Sequence, residues 1–326
     1  MAKNKRKQGA GRGRVTPARL NYAAPNPNPR GGLAITSKTA AKVEKVCAMS
    51  NPFCSSAKGA RIPDDDSAPS MGVQIVQRYH LGTDANGKAA FQLRPGLTAS
   101  TGTASTITGD VVTTWGALSS LKEYSALINS FGQYRIVSYG ARVYTTLAPT
   151  NQSGSVRFVT TGANLLDGVD MESSFWVETS AAPVANLDHR WIGKPQGTEW
   201  KTYIALGSHA DYTRFAFYVS GAPPSATDSF VVELYFNIEV TPKLDTVVAG
   251  AAQSGEPHDP HAIQAASIVH SKHRGHHRPE GFFGKMMGLA KSALLDVATS
   301  AMPVAGGALK RMLGVGSRPL AIEYVD

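Results

Sequence analysis

Acidic side chains are missing from the first 43 residues, a stretch that holds ten Lys or Arg: Lys3, Lys5, Arg6, Lys7, Arg12, Arg14, Arg19, Arg30, Lys38 and Lys42. The chain has 33 basic and 24 acidic residues in all, so the remaining positions carry 23 and 24 and are close to neutral. Bulky apolar residues are also scarce in that stretch, where Gly, Pro, Asn and Ala dominate, and burial cannot offset its ordering entropy. Cysteine is scarce throughout: Cys47 and Cys54 make no disulfide framework and match no zinc spacing. No apolar run follows the charged start, so a secretory signal is not expected, and no uninterrupted apolar segment has membrane-spanning length. G-x-S-x-G, H-E-x-x-H and G-x-x-x-x-G-K-[ST] do not occur, and no catalytic nucleophile is nominated. Together these absences point to a reducing compartment and to binding or structure rather than catalysis.

What is present divides the chain into five parts. Residues 1–46 read as a basic, disordered arm with a candidate short helix at Thr36–Val46. Residues 47–71 are a Pro- and Ser-rich transition, 72–242 a strand-rich body, 243–280 a His-rich basic linker, and 281–326 an amphipathic helical segment. Period-two alternation and β-branched content predict eight strands in the body: Val73–His80, Lys88–Leu93, Gln133–Thr146, Gly154–Thr161, His189–Lys194, Thr198–Leu206, Tyr212–Ser220 and Ser229–Val240. Helices are expected at Leu118–Phe131, whose apolar residues fall on one stripe, and more weakly at Gly168–Glu178. Strands without βαβ rhythm argue for an all-β antiparallel sandwich, of which the eight-stranded jelly roll is the natural member. Ser/Thr/Gly-rich stretches near 95–115, 147–153 and 207–211 suit exposed loop tips.

A polycation tethered to a neutral body suits a polyanion, and a flexible Gly-rich arm suits heterogeneous RNA without sequence readout. Each phosphate neutralised on a single strand contributes a slope of about −0.7 in log affinity against log salt. Tyr22 is the arm's only aromatic, so stacking adds little. A solubilising tail or a nuclear address fits the same composition.

The run Phe131-Gly-Gln-Tyr-Arg-Ile-Val-Ser-Tyr-Gly-Ala-Arg-Val143 resembles the strand-D region of capsid proteins from small icosahedral positive-strand RNA viruses of the nodavirus-like, sobemovirus-like and tombusvirus-like kind. Asn51-Pro-Phe-Cys54, Ala60-Arg-Ile-Pro-Asp64, His189-Arg-Trp-Ile-Gly-Lys-Pro195, Ser220-Gly-Ala-Pro-Pro224 and Asn237-Ile-Glu-Val-Thr-Pro242 agree in order, so the resemblance covers roughly residues 50–242. It implies a self-assembling shell subunit in a virion assembled in host cytoplasm, with quasi-equivalent packing and an inward-facing arm on genomic RNA. It also implies an unidentified receptor. Capsids of this kind place carboxylates at subunit contacts, which makes Asp64, Asp65 and Asp66 candidate Ca²⁺ ligands; a solvated turn after Pro63 is the alternative. No cofactor is required.

Two C-terminal features remain. Six of the nine histidines lie between His258 and His277, where a linker that gains charge on acidification and a plain hydrophilic linker both fit. From Gly281 a helix would group Phe283, Met286, Met287, Ala290, Ala293, Leu294, Val297 and Ala301 on one face, with Lys285, Ser292, Asp296 and Thr299 opposite and Pro303 at its end. That segment resembles the lytic C-terminal peptide of nodavirus capsids and makes Phe282, Phe283, Met286, Met287, Leu294 and Val297 candidates for host-membrane contact. No Asn follows Asn237, so the self-cleavage of that family is not carried over. An ordinary helix packed beneath the shell is the alternative. At the level of the whole chain, the alternatives are a cellular β-sandwich that binds nucleic acid and a membrane-lytic or membrane-docking protein.

Overall fold

Two long strands, buried on both faces along most of their length, form the spine. The computed structural model describes residues 37–64, 66, 68–172, 176–197, 200–273, 275–277 and 281–300. In chain order these form α1 (Ser37–Ser50), β1 (Met71–Leu81), β2 (Ala89–Leu93), β3 (Thr101–Thr108), β4 (Val111–Trp115), α2 (Tyr124–Ser130), β5 (Phe131–Thr145), β6 (Ser155–Thr161) and β7 (Val169–Asp170). They continue with β8 (Glu178–Pro183), β9 (Asp188–Ile192), β10 (Ile204–Ala205), β11 (Arg214–Ser220), β12 (Phe230–Pro242), α3 (Pro260–Lys272), β13 (His276–His277) and α4 (Phe282–Ser300). The spine is β5 paired antiparallel with β12.

One sheet runs β1-β12-β5-β9-β13, with β10 added to β5; the other runs β7-β4-β3-β2-β11-β6-β8. Leaving out the accessory strands β3, β4, β7, β10 and β13, eight strands remain, ordered first-eighth-third-sixth in one sheet and second-seventh-fourth-fifth in the other. That interleaving of two antiparallel sheets is the jelly roll. Its core is aromatic: Phe91, Tyr139, Phe158, Trp191, Phe215, Phe217 and Phe236 are fully buried between the sheets. Trp191 stacks on Phe215 at 4.9 Å and meets Tyr139 edge-on at 5.3 Å, the offset and T-shaped arrangements that ring quadrupoles favour.

Sequence and structure part at specific elements. The expected strand Thr198–Leu206 supplies only the two residues of β10, and the fifth jelly-roll strand is instead β8, just past the stretch expected as a weak helix. Glu-Thr-Ser-Ala-Ala-Pro has little β-branched content, and β8 sits at a sheet edge, where packing rather than propensity selects it. The helix expected over Leu118–Phe131 forms only at Tyr124–Ser130, because Ser119 is drawn into backbone pairing with Thr101. The stretch near 95–115 is not a plain loop: β3 and β4 form a hairpin whose Val112, with Leu165 and Met171, packs on Ala90, Val159, Ala216 and Tyr218 in a second small core.

The face of the β1-β12-β5-β9 sheet that points away from the sandwich is polar, yet it is covered. Residues 51–64 and 68–70 lie across it. Arg135, 2% exposed, donates to Glu239, 1% exposed, and pairs with Asp64. Glu239 also accepts from the Ile62 amide at 2.9 Å and the Ser70 hydroxyl at 2.5 Å, and Tyr203 lies 4.3 Å from the guanidinium. Next to it the Asn237 amide donates to the Pro52 carbonyl and to Ser138 Oγ, which in turn donates to the carbonyl of Ala48 at the end of α1. Removing one partner from such a cluster leaves a buried charge uncompensated. Arg135→Met is therefore expected to cost about 3–5 kcal/mol in urea unfolding of the subunit, and Arg135→Met with Glu239→Leu to recover most of it. Equal loss in both variants would contradict this.

Candidate functional site

The region with the most functional potential is a three-helix platform on that covered face. Helix α1 buries Val43, Val46, Cys47 and Met49; α3 buries Ala262, Ala265, Ala266 and Val269; α4 buries Phe282, Met286, Ala290, Ala293 and Val297. The alanines on α3 and α4 allow close approach of the helix axes. Helix α3 begins with Asp259, whose carboxylate accepts from the Ala262 amide at 3.1 Å, followed by Pro260 in the first turn. This Asp-Pro start signal was present in the sequence and marks a helix where a linker was expected.

The cationic residues expected to bind RNA divide at α1. Lys3, Lys5, Arg6, Lys7, Arg12, Arg14, Arg19 and Arg30 lie outside the described residues. Lys38 is in α1, its side chain outside the description, and Lys42 is ion-paired with Asp259 at 3.3 Å. Lys45 pairs similarly with Glu256 at 2.9 Å. The helix expected at Thr36–Val46 runs on to Ser50 and crosses the boundary drawn between arm and transition. The basic stretch thus enters the described body at the platform.

Of the candidate Ca²⁺ ligands, Asp64 is committed to Arg135, Asp65 lies outside the described residues, and exposed Asp66 accepts the Ala68 amide at 2.9 Å. Among the described residues no three His, Cys, Asp or Glu side chains are grouped to hold a metal ion. Cys47 and Cys54 are free thiols.

The apolar face of α4 is turned by about one residue from the sequence expectation. Phe282 joins Met286, Ala290, Ala293 and Val297 in the buried stripe, Leu294 is half-buried, and Phe283 (46% exposed) and Met287 face outward. The stripe follows the groove offered by α1 and α3 rather than the widest apolar arc. Ala301 and Pro303 lie outside the described residues. No described helix is long and apolar enough to cross a membrane.

A histidine cluster locks the platform to the sandwich. The two residues of β13 pair with β9, His276 opposite Trp191 and His277 opposite Arg190. His276 faces the sandwich interior, with Nε2 2.9 Å from Thr160 Oγ1 and Nδ1 3.1 Å from His189 Nε2. His189 stacks on Phe158 at 3.6 Å. On the opposite face His277 packs on Phe282 at 4.9 Å and on His273 at 5.9 Å, and His273 is 5.8 Å from His270. The Arg190 guanidinium lies 5.6, 5.4 and 5.1 Å from the rings of Phe53, Phe282 and Phe283, a cation held by aromatic faces. Burial pushes His270 down to about 3 and His273 and His276 down to about 4, so all three are held neutral. The expectation of a solvated, readily charged run is corrected for these three, which burial in the seam between helices and sheet keeps neutral, whereas His258 and His261 are exposed.

No protein-family model matches the chain, and no curated protein matches its sequence. Solved structures do match. The VP2-type fold seen in the crystal structure of the T13 particle of infectious bursal disease virus is similar with a TM-score of 0.56 at 10% identity, covering 80% of this chain and 99% of that one. A point-mutant VP2 protein of the same virus, from derived T=1 particles, gives 0.52 at 10% identity over 72% of this chain and 94% of that one. The class is therefore that of a jelly-roll protein with the fold of icosahedral viral capsid subunits. Within that class, identity this low extends the likeness to the fold and no further.

The packing of α4 separates two neighbouring phenylalanines. Phe282→Ala is expected to weaken docking of α4 by about 3–5 kcal/mol and Phe283→Ala by less than about 1 kcal/mol, read as hydrogen-exchange protection of residues 282–300. Equal effects would place the buried stripe wrongly.

Proposed function

We propose that the chain is the coat protein of a small non-enveloped RNA virus: it self-associates into a closed icosahedral shell and resides in the virion. The observation that carries this reading is a jelly roll whose likeness extends over nearly the whole length of a capsid chain, joined to an N-terminal stretch with ten cations and no anion. The arm packages single-stranded RNA by counterion release, and the RNA in turn relieves repulsion among arms crowded on one side of the shell. Because the arm joins the body at α1, the platform lies on the genome side.

Self-association needs apolar surface left open on the free subunit. Leu244 (95% exposed) and Val247 (98%) stand out beside Ile128, whose carbonyl accepts from Lys243 Nζ at 2.9 Å. Side chains this exposed gain from a second copy of the chain. Membrane contact by Phe282, Phe283, Met286, Met287, Leu294 and Val297 is a further reading for α4. It is conditional, since Phe282, Met286 and Val297 are buried and must first leave the platform.

Two measurements test the proposal. Shells of the full chain should protect RNA from nuclease, and shells lacking residues 1–36 should lose most of that protection; equal RNA content in both would remove the arm's role. Leu244→Asp with Val247→Asp should sediment as a folded single subunit where the unaltered chain forms large particles. A cellular nucleic-acid-binding sandwich would instead stay monomeric or dimeric with RNA, whatever residues occupy 244 and 247.

A further inference from the structure

The histidine run lies at the seam between the platform and the sandwich. Two helices of the platform are joined through β13, whose two residues face opposite ways: His276 into the sandwich and His277 under the helices. The joint also touches α4 directly, since His277 packs on Phe282 and the Arg190 guanidinium of β9 lies 5.4 Å from the same ring. We propose that β13 and the histidines around it form an acid-opened latch, which holds α4 against β9 at neutral pH and frees its apolar stripe when the imidazoles take up protons.

The charges around the joint support this. On β9 the neighbour of His277 is Arg190, whose Nε and Nη1 have no hydrogen-bond partner among the described residues. Just beyond β9, Lys194 pairs with Glu178 of β8 at 2.5 Å, and the second Glu178 oxygen accepts the Gly275 amide at 2.8 Å. Beside His276, β6 presents the Thr160 hydroxyl and β11 the Phe215 ring. Helix α3 adds His270 and His273 themselves, and neither ring nitrogen of buried His270 has a hydrogen-bond partner among the described residues. Lys272 of α3 and Asp296 of α4 pair with each other at 3.0 Å. Against two fixed cations, Arg190 and Lys194, the carboxylate that acts on His273 and His276 is Glu178. Burial opposes its charge, yet the Lys194 bond and the Gly275 amide hold it below its ordinary range. Each proton added to an imidazole here is buried beside like charge.

The direction follows from linkage. His270, His273 and His276 are depressed in the docked state, burial being the largest cause, and return to about 6.5 when the joint opens to water. The docking they support is complete above about pH 6.5 and is lost as pH falls toward about 4, where the docked state itself begins to protonate. For a histidine held near 4, the open form gains at most about twentyfold between pH 7 and pH 5, and two such residues multiply. The latch is a property of the fold and stands whether or not the chain builds a shell.

Hydrogen exchange on the full chain at pH 7.5 and pH 5.0, with labelling times scaled for intrinsic exchange, tests it. At pH 5.0 residues 276–300 should lose protection at least tenfold while residues 230–242 keep theirs. His270→Gln with His273→Gln and His276→Gln should abolish that selective loss. Should this variant prove unfolded at pH 7.5, Glu178→Gln decides: without its carboxylate the opening midpoint should rise by about half a pH unit or more. Unchanged protection of residues 276–300 at pH 5.0, simultaneous loss in 230–242, persistence of the opening in the triple variant, or an unmoved midpoint in Glu178→Gln would each overturn the latch.

Discussion

Arg135, Asn237 and Glu239 project from the side of the β1-β12-β5-β9 sheet that faces away from the sandwich, and burial obliges each to find a partner there. A jelly roll with a solvated outer face would need no such cover. Here the cover is made by residues 51–64 and 68–70 and by the end of α1, whose carbonyls and amides meet the sheet's polar side chains. Once α1 is fixed in this way it offers an apolar surface, and α3 and α4 close on it. The platform is therefore a consequence of the polar sheet face, and the basic stretch enters the body where that platform begins.

The same arrangement sets what α4 can do. Its apolar stripe belongs to the hydrophobic core of the subunit, continuous with the packing of α1 and α3. Surface activity of such a helix competes with its own folding, and under the proposed latch that competition is set by the stability of the joint at β13. Arg190 among three phenylalanines contributes a contact that does not depend on pH, and the histidines contribute one that does.

Much of this was legible in the sequence, and the gaps have physical causes. The β-branched and aromatic content of Gln133–Thr146 and Ser229–Val240 located the spine strands within two residues, although both are buried on both faces and carry little period-two contrast. β8 escaped because its Ala and Ser residues carry no strand preference, and an edge position makes few demands. The helix at Pro260–Lys272 was hidden by its histidines: composition suggested a solvated linker, whereas His270 and His273 are buried against Trp200 and each other. The Asp-Pro cap was the better signal. Asp64 looked like a metal ligand because sequence cannot reveal that Arg135, 71 residues away, is its partner.

Electron cryo-microscopy of the purified full chain with RNA tests the central claim most directly, because it reads shell formation and the direction of the polar sheet face together. Expected are closed icosahedral particles whose inner wall is lined by α1, α3 and α4, with the sandwich outside them. Particles with the platform on the outer surface, or fields of single subunits only, would contradict it.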